Sequence, residues 1–142
     1  MSTLFTKIID GEIPGRFVWS DDRCVAFLTI GPITDGHTLV VPRVEVDHWL
    51  DTDDELFAHL NAVARRIGVA QQSVWGSPRI GLMVAGFEVP HLHLHVWPVY
   101  SLDDFSFAKV DPDPDPDVLD SNAEHIRTRL RHDGQADHVP QA

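Results

Sequence analysis

The chain of 142 residues contains a single cysteine, Cys24, and this scarcity excludes a fold held together by disulfides. Cys24 opens the apolar run Cys24-Val25-Ala26-Phe27-Leu28. A thiol in such a run is more commonly a buried core residue than a nucleophile. The sequence therefore gives no support to redox or thiol chemistry.

Long hydrophobic runs are also missing. No stretch approaches the ~20 apolar residues that a membrane-spanning helix needs, and the N-terminus lacks a basic region followed by an apolar run. We therefore expect a cytoplasmic protein without a membrane partner. With 43% hydrophobic and 23% charged residues, the chain has the size and composition of one globular domain.

Basic residues are scarce. Eleven Lys and Arg residues oppose 22 Asp and Glu residues, which gives a formal net charge of −11 at pH 7. Proteins that follow a nucleic-acid backbone need clustered Lys and Arg side chains, so we expect no nucleic-acid partner. A small anionic ligand stays compatible with this charge, because one pocket can be rich in hydrogen-bond donors while the whole molecule is acidic.

Hydrophobic periodicity predicts several strands and one long helix before residue 100. The long helix follows the capping-box sequence Thr52-Asp53-Asp54-Glu55, carries apolar residues at three- and four-residue spacing, and ends near Gly76. The predicted elements are, in chain order, a short helix at 4–9, strands at 17–19, 25–28 and 37–42, the helix at about 53–74, and strands at 79–84 and 91–97.

The last part of the chain differs in composition, and we expect a boundary between residues 1–105 and 106–142. Residues 111–117 alternate Asp with Pro, which predicts an extended acidic connection at the surface. A metal-binding loop is less favoured there, because the prolines hold the carboxylates apart. Residues 121–124 have the pattern of a helix cap, so a short helix carrying Ile126 and Leu130 should follow, and the polar tail should fray.

Three histidines, His91, His93 and His95, alternate with Leu and Val. This period of two is typical of a strand with one buried face and places all three imidazoles on one side. A metal shared by all three is hard to build on a straight strand. Neighbouring same-face residues stand ~6.6 Å apart and the outer two ~13 Å, whereas Zn–N bonds are ~2.0–2.1 Å. Alternatively, the three histidines form only a polar face exposed to solvent.

Nucleophilic catalysis is a second function that three histidines on one face of a strand could serve. A neutral imidazole is a nucleophile near pH 7 because its ordinary pKa is ~6.5, and a neighbouring ring can carry a proton. Phosphoryl transfer suits this set, since an attacking histidine forms a phosphoimidazole that water later resolves while nearby N–H groups stabilise the developing charge.

The segment His91-Leu92-His93-Leu94-His95-Val96-Trp97 resembles the signature of the histidine triad (HIT) hydrolases and transferases, His-φ-His-φ-His-φ-φ with φ apolar. The resemblance extends, in family order, over roughly residues 4 to 100. Its other matching segments are 5–14, 21–27, 36–43 and Ala85-Gly86.

The resemblance implies an α+β fold in which an antiparallel sheet of about five strands carries one long helix, usually paired into a homodimer. It implies that His93 attacks the α-phosphate of a small-molecule nucleotide and forms a nucleotidyl-histidine intermediate. His95 would bind the phosphate, and His91 with His37 would complete the proton network. The implied nucleotide-binding residues are Leu4, Phe5, Ile8, Phe27, Thr29, Ile30, Leu39 and His95; for the apolar ones, ordinary core packing is the alternative.

The chain departs from the family pattern at several positions. Many relatives have Cys-x-x-Cys near the start, which contributes to zinc binding in some members, but this chain has Thr3-Leu4-Phe5-Thr6, so we expect no metal there. Thr29 stands where relatives carry a ribose-binding aspartate. The turn before the triad contains Phe87 and Glu88 where relatives have polar residues on the phosphates; Phe87 cannot bond a phosphate, and an ionised Glu88 would repel one.

The leading hypothesis is a nucleotide phosphoramidase or nucleotidyl hydrolase that needs no cofactor. A nucleotide-binding or interaction protein with little catalysis is the alternative, and the altered phosphate turn favours it. A metal-dependent hydrolase is the third reading.

Overall fold

The computed structural model describes residues 2–141, and these form an α+β fold. Five strands make one sheet in the order β1-β2-β3-β5-β4, and every neighbouring pair is antiparallel. The strands are β1 Phe17–Ser20, β2 Cys24–Leu28, β3 Thr38–Pro42, β4 Arg79–Met83 and β5 Leu94–Val99. The helices are α1 Leu4–Ile9, α2 Asp54–Trp75 and α3 Pro116–Leu130. The predicted five-stranded sheet and its long helix are confirmed.

Helix α2 has the start and stop signals that the sequence predicts. The side chain of Asp53 accepts a hydrogen bond from the Leu56 amide, and Gly76 ends the helix with a φ of 64°. The helix packs its apolar face, including the fully buried Leu60 and Ile67, on the sheet. Buried Gln71 donates through Nε2 to the Gly36 carbonyl at 2.9 Å, which fixes the chain just before His37.

Strand β5 begins later than predicted, so only the third histidine of the triad lies on it. Leu94 pairs with Val40, and the residues before Leu94 lie beyond the paired part of β3. Pro42, at the end of β3, has no N–H to donate, and its carbonyl accepts from the His91 ring instead of from a strand. His91 and His93 therefore lie in an irregular segment that leads into β5.

The C-terminal segment also differs from the prediction. The helix α3 begins at Pro116, and its cap Asp115 lies six residues before the predicted cap Ser121. Its buried side chains Ala123, Ile126 and Leu130 pack against the core that α2 and the sheet share. The tail does not fray at Leu130 but continues in turns to His138, whose ring stacks on Trp19 at 4.9 Å between centroids.

The single cysteine is buried, as expected. Cys24 has no exposed surface, and burial raises the pKa of its thiol, with a further increase from Asp21. Within residues 2–141, no helix has the length and apolar character needed to cross a membrane.

Candidate functional site

The strand order brings four histidines from two places in the sequence to one side of β5. His95 lies on β5 opposite Leu39 of β3, and His37 lies immediately before β3. The His95 ring stands 5.0 Å from His93 and 5.1 Å from His37 between centroids. His91 completes the set and, like the other three, is almost fully buried.

His37 has a fixed tautomer. Its Nδ1 accepts a hydrogen bond from the Ile33 amide at 3.0 Å, so this nitrogen carries no proton. Burial, followed by the neighbouring His95, lowers the pKa of His37 to about 3, which keeps the ring neutral. The one ring proton must therefore be on Nε2, which lies 2.9 Å from His95 Nδ1 and donates to it.

The tautomer of His95 follows from that of His37. Its Nδ1 accepts the proton of His37, and burial together with the neighbouring His93 lowers the pKa of His95 to about 4. A neutral His95 must then carry its proton on Nε2. That N–H lies 3.0 Å from Glu88 Oε2 and donates to it. His95 thus presents a hydrogen-bond donor, and not a lone pair, to the site.

His93 presents the opposite group. Its Nδ1–H donates to the His91 carbonyl at 2.8 Å, so in the neutral ring the lone pair is on Nε2. His93 Nε2 stands 3.4 Å from Glu88 Oε2, longer than a strong hydrogen bond. Phe5 packs against the ring at 4.9 Å, nearly perpendicular to it. The site therefore places a nucleophilic nitrogen beside an N–H donor.

The ring of His91 is held by hydrogen bonds to neighbouring residues and does not face the other histidines with a free nitrogen. Its Nε2–H donates to the Pro42 carbonyl at 2.8 Å, and its Nδ1 lies 2.7 Å from the Thr3 hydroxyl, which donates to it. Burial lowers the pKa of His91, in keeping with a neutral ring. Both ring nitrogens are used for contacts with the scaffold, while the backbone carbonyl holds His93. His91 is therefore a positioning residue in this geometry.

Thr3 and Thr6 stand where the family resemblance places the cysteines of some zinc-binding relatives. Glu45 Oε2 accepts from the Thr3 amide at 2.7 Å and from the Thr6 hydroxyl at 2.9 Å. Zinc sites of this kind need thiolate or imidazole ligands, whereas these hydroxyls are already joined to Glu45 and His91 by hydrogen bonds. The residues present do not fit a zinc ion at this place.

Glu88 is the site residue that the sequence reasoning missed as a partner of the histidines. It follows Gly86, which adopts a φ of 85°, in the turn between β4 and β5. Its side chain is 39% exposed and reaches back to both His93 and His95. Burial raises the pKa of Glu88, but a backbone hydrogen bond and the two histidines outweigh it and lower the pKa below its usual value.

Glu88, His93 and His95 bring three potential ligand atoms within 4.8 Å of one another. The hydrogen-bond order does not fit a metal, because the His95 nitrogen that faces the others carries a proton. A metal there would have to reverse the tautomers of His95 and His37, and the Ile33 amide would then meet another N–H. The residues present therefore do not fit a metal ion at this place.

The predicted nucleotide-binding residues are only partly brought together. Phe5, Ile8, Phe27 and Leu39 belong to one buried cluster, and Phe5 joins it to the histidines. Leu4 and Ile30 are instead 45% and 76% exposed. The Thr29 hydroxyl accepts from the Gly31 amide at 3.1 Å, so it holds its own loop.

A cavity of about 220 Å³ adjoins His93. It lies between the segment that contains Asp47 and Trp49 and the turn that contains Gly86 and Phe87. Within the part of the chain that the structure describes, no Lys or Arg side chain lines this cavity. Its walls therefore suit a small group better than a chain of phosphates, which would need positive partners.

Comparisons with known proteins agree with this architecture. The family model of the HIT domain matches residues 10–102. An uncharacterized HIT-like protein of Saccharolobus solfataricus is 36% identical over 105 residues, covering 70% of this chain and 76% of that protein. The protein named hit of Bacillus subtilis is 34% identical over 108 residues, covering 71% and 73% respectively.

Two solved structures are similar over most of their length. A zinc-bound histidine triad family protein from Mycobacterium smegmatis has a TM-score of 0.81 at 30% identity, covering 96% of this chain and 98% of that one. A hypothetical histidine triad nucleotide-binding protein from Sulfolobus tokodaii has a TM-score of 0.80 at 26% identity, covering 90% and 91%.

Proposed function

The chain belongs to the HIT family, and on that premise we propose that it hydrolyses a P–N or P–O bond at the α-phosphate of an adenosine- or guanosine-type nucleotide. The observation that carries this proposal is the order of protons in the site. His93 offers a free Nε2 lone pair, and His95 offers an Nε2–H beside it. A nucleophile next to an N–H donor is what attack on an anionic phosphate requires.

The proposed reaction has two steps. His93 Nε2 attacks the α-phosphorus, the bond to the leaving group breaks, and a nucleotidyl-histidine forms. Water then attacks the same phosphorus, and the P–N bond to His93 breaks to release the mononucleotide. In both steps the N–H of His95 stabilises charge on a phosphate oxygen, and the bond from His37 keeps that N–H in place.

The nucleoside is proposed to lie against the apolar cluster that contains Phe5 and Phe27. Phe5 contacts the His93 ring, so a base or ribose packed on this cluster is adjacent to the nucleophile. Exposed Leu4 and Ile30 border the cluster in sequence and would lose solvent contact to a bound nucleoside. Thr29 would offer at most its hydroxyl to the ribose.

The leaving group is proposed to be a small amine and not a second nucleotide joined through polyphosphate. The cavity beside His93 is small, and among the described residues its lining includes Asp47 and His48 but no Lys or Arg side chain. Glu88 adds a second carboxylate next to the phosphate. Extra phosphates would meet these acids without a cation to offset them.

Intact mass spectrometry after rapid quenching tests the proposal. The protein is mixed with a nucleoside phosphoramidate, and a mass increase equal to one nucleotidyl group is expected and should map to His93. His93→Ala should show neither adduct nor turnover, and a chelator should leave turnover unchanged. Absence of both adduct and turnover, while an active relative in the same assay turns over, would contradict the proposal.

A nucleotide-binding protein with little catalysis is the second candidate, and one observation favours it. Glu88 Oε2 accepts the His95 N–H that a phosphate oxygen would otherwise take. Calorimetry separates the two functions. Binding of a mononucleotide without turnover of any phosphoramidate or dinucleoside polyphosphate would support the binder and exclude the hydrolase.

We also propose that the protein is a homodimer formed along β4. This strand is the edge of the sheet that lies next to the triad strand. Leu82 on β4 and Val69 on α2 are 52% and 53% exposed and line one groove beside this open edge. Light scattering coupled to gel filtration should give twice the monomer mass, and Leu82→Lys should reduce it to the monomer value.

A further inference from the structure

The proposed chemistry needs a proton that the histidines do not supply. An alkylamine cannot leave phosphorus as an anion, so its nitrogen must be protonated as the bond breaks. The protons of His37, His91 and His93 each point at a fixed acceptor on the scaffold or on the next ring. The proton of His95 faces the phosphate but belongs to a neutral imidazole, which is far too weak an acid to release it.

A second proton on His95 is disfavoured by the same hydrogen bonds. It would have to occupy Nδ1, which already faces the N–H of His37. His37 could step aside only by placing its proton on Nδ1, against the amide of Ile33. The proton carrier therefore has to be a group outside the histidine chain that still touches the reacting atoms.

Glu88 is the titratable side chain that meets this requirement within residues 2–141. Its Oε2 stands 3.4 Å from the nucleophilic nitrogen of His93 and 3.0 Å from the N–H of His95. The side chain is 39% exposed, so it exchanges protons with water. Its other oxygen accepts from the Phe87 amide at 3.2 Å, which anchors the carboxyl at the rim of the site.

A bound phosphate reverses the charge preference of this carboxyl. The groups that face it are His93 and His95, with His37 behind them, and a backbone hydrogen bond together with His93 and His95 holds the pKa of Glu88 below its usual value. An anionic α-phosphate that takes the N–H of His95 removes one stabilising bond and adds a like charge beside the carboxylate. Both changes raise the pKa of Glu88, so substrate binding favours uptake of one proton from solvent.

We infer that Glu88 is the general acid and general base of the two half-reactions, an inference that rests on the proposed function. In the first step the lone pair of His93 Nε2 forms a bond to phosphorus. The P–N bond of the substrate breaks, its electron pair stays on the leaving nitrogen, and that nitrogen takes the proton of the Glu88 carboxyl. The products are a free amine, a nucleotidyl-His93 and a Glu88 carboxylate.

In the second step the same carboxylate takes a proton from water. The water oxygen forms the new bond to phosphorus, and the electron pair of the P–N bond returns to His93 Nε2. Mononucleotide leaves and Glu88 is protonated again, so one turnover consumes one water and no other reactant. The acid of the first step is thus the base of the second, as microscopic reversibility requires.

A pair of substrates with different leaving groups tests this inference. The first is a nucleoside 5′-phosphoramidate of an alkylamine, which needs an acid. The second is the p-nitrophenyl ester of the same nucleotide, whose phenolate leaves without a proton. For Glu88→Gln, which keeps the shape of the side chain, we expect turnover of the amide to fall about 10²-fold to 10³-fold.

The ester should show a different effect in the same variant. Release of the first nitrophenolate should change by less than about 3-fold, because that step needs no acid. Hydrolysis of the intermediate should slow, so a burst of nitrophenolate equal to the protein concentration should appear together with a nucleotidyl adduct. Glu12→Gln, which removes an exposed carboxylate elsewhere, is the matched control and should keep the rates of the native protein.

The outcomes separate this inference from the function on which it rests. Equal slowing of the amide and of the first ester step would mean that Glu88 acts only in binding or structure, and the inference would be overturned while the proposed function stands. A native protein that forms no adduct and releases no product from either substrate would overturn both. The pH profile gives a second readout: turnover of the amide should fall as pH rises through the pKa of Glu88 in the complex, and Glu88→Gln should lose this dependence.

Discussion

Two carboxylates on different parts of this molecule contact histidine rings: Glu88 contacts His93 and His95, and Asp21 contacts His59. Each carboxylate forms a pair with its nearest ring. In each pair an oxygen lies within hydrogen-bond distance of a ring nitrogen, at 3.0 Å for His95 and 2.7 Å for His59. The Asp21 side chain is 6% exposed, whereas the Glu88 side chain is 39% exposed. The chemical groups are the same, but their surroundings differ.

The difference is in the number of donors that each carboxylate receives. Asp21 accepts from the Trp19 indole, from the amides of Arg23 and Cys24, and from His59. Although burial raises it, these bonds hold the pKa of Asp21 well below its usual range. Its oxygens are used up by the turn between β1 and β2, so the Asp21 pair is structural. Glu88 has fewer donors and faces solvent, which leaves it free to exchange a proton.

The largest effect should come from the nucleophile beside Glu88. His93→Ala should lower turnover of a nucleoside phosphoramidate by at least about 10⁴-fold, because no other ring presents a free lone pair to the site. His59→Ala, in the Asp21 pair, should leave turnover within about 3-fold of the native value. Steady-state kinetics measures both variants. Equal losses of turnover in His93→Ala and His59→Ala would contradict the assignment of a catalytic role to the Glu88 site and a structural role to the Asp21 pair.

The tautomer of His95 should depend on His37. His37→Phe keeps a ring of similar shape but removes the N–H that points at His95 Nδ1, so only the bond to Glu88 still favours a proton on His95 Nε2. We expect turnover to fall about 10²-fold, mostly in kcat. Nitrogen NMR of the His95 ring should show the Nε2–H form in the native protein and a mixture of forms in the variant. An unchanged tautomer would contradict the chain of hydrogen bonds.

The Asp21 pair should affect stability and not turnover. Asp21→Asn places an NH₂ group among N–H donors and should lower the free energy of unfolding by about 2 kcal/mol at pH 7. The folded pKa of Asp21 lies below its unfolded value of ~3.9, so its stabilisation is present above that pH and is lost as the pH falls toward the folded pKa. Urea unfolding should therefore show the gap between native protein and variant closing below about pH 4. A gap that does not depend on pH would exclude an ionic role.

The smallest effect should come from His59 itself. Its side chain is 26% exposed, and its bond to Asp21 is one of several that the carboxylate receives. His59→Gln should lower the free energy of unfolding by only about 0.5 kcal/mol. Thermal unfolding of His59→Gln and Asp21→Asn at the same pH compares the two. A loss as large as that of Asp21→Asn would mean that His59 is the main donor.

Much of the fold follows from local patterns. The long helix was predictable because its cap, its apolar spacing and its terminal glycine agree, and it spans Asp54–Trp75 against a prediction of about 53–74. The start of α3 was missed because the Asp-Pro run indicates an extended chain. Pro116 is nevertheless suited to the first turn of a helix, where its missing N–H costs nothing, and Asp115 caps it.

The candidate site was predictable only in part, because some of its contacts depend on backbone groups. The histidines and His37 carry sequence signatures, and the structure brings them within ring contact. The hydrogen-bond order depends on the amide of Ile33 and the carbonyl of Pro42, and no motif identifies such backbone groups. The sequence predicts only that Glu88 repels a phosphate. Its contact with His95 could not be predicted, because that contact depends on how the turn after β4 folds back.

The short helix α1 has a consequence for the dynamics of the site. Thr3 caps α1 and donates to His91, while Phe5 touches both His91 and His93. Local opening of α1 therefore removes contacts from the nucleophile, and a ligand held against Phe5 stabilises the closed helix by the same free energy. Amide exchange in α1 thus becomes a reporter of occupancy at the triad, because the order of residues 3–9 is linked to the affinity of the site.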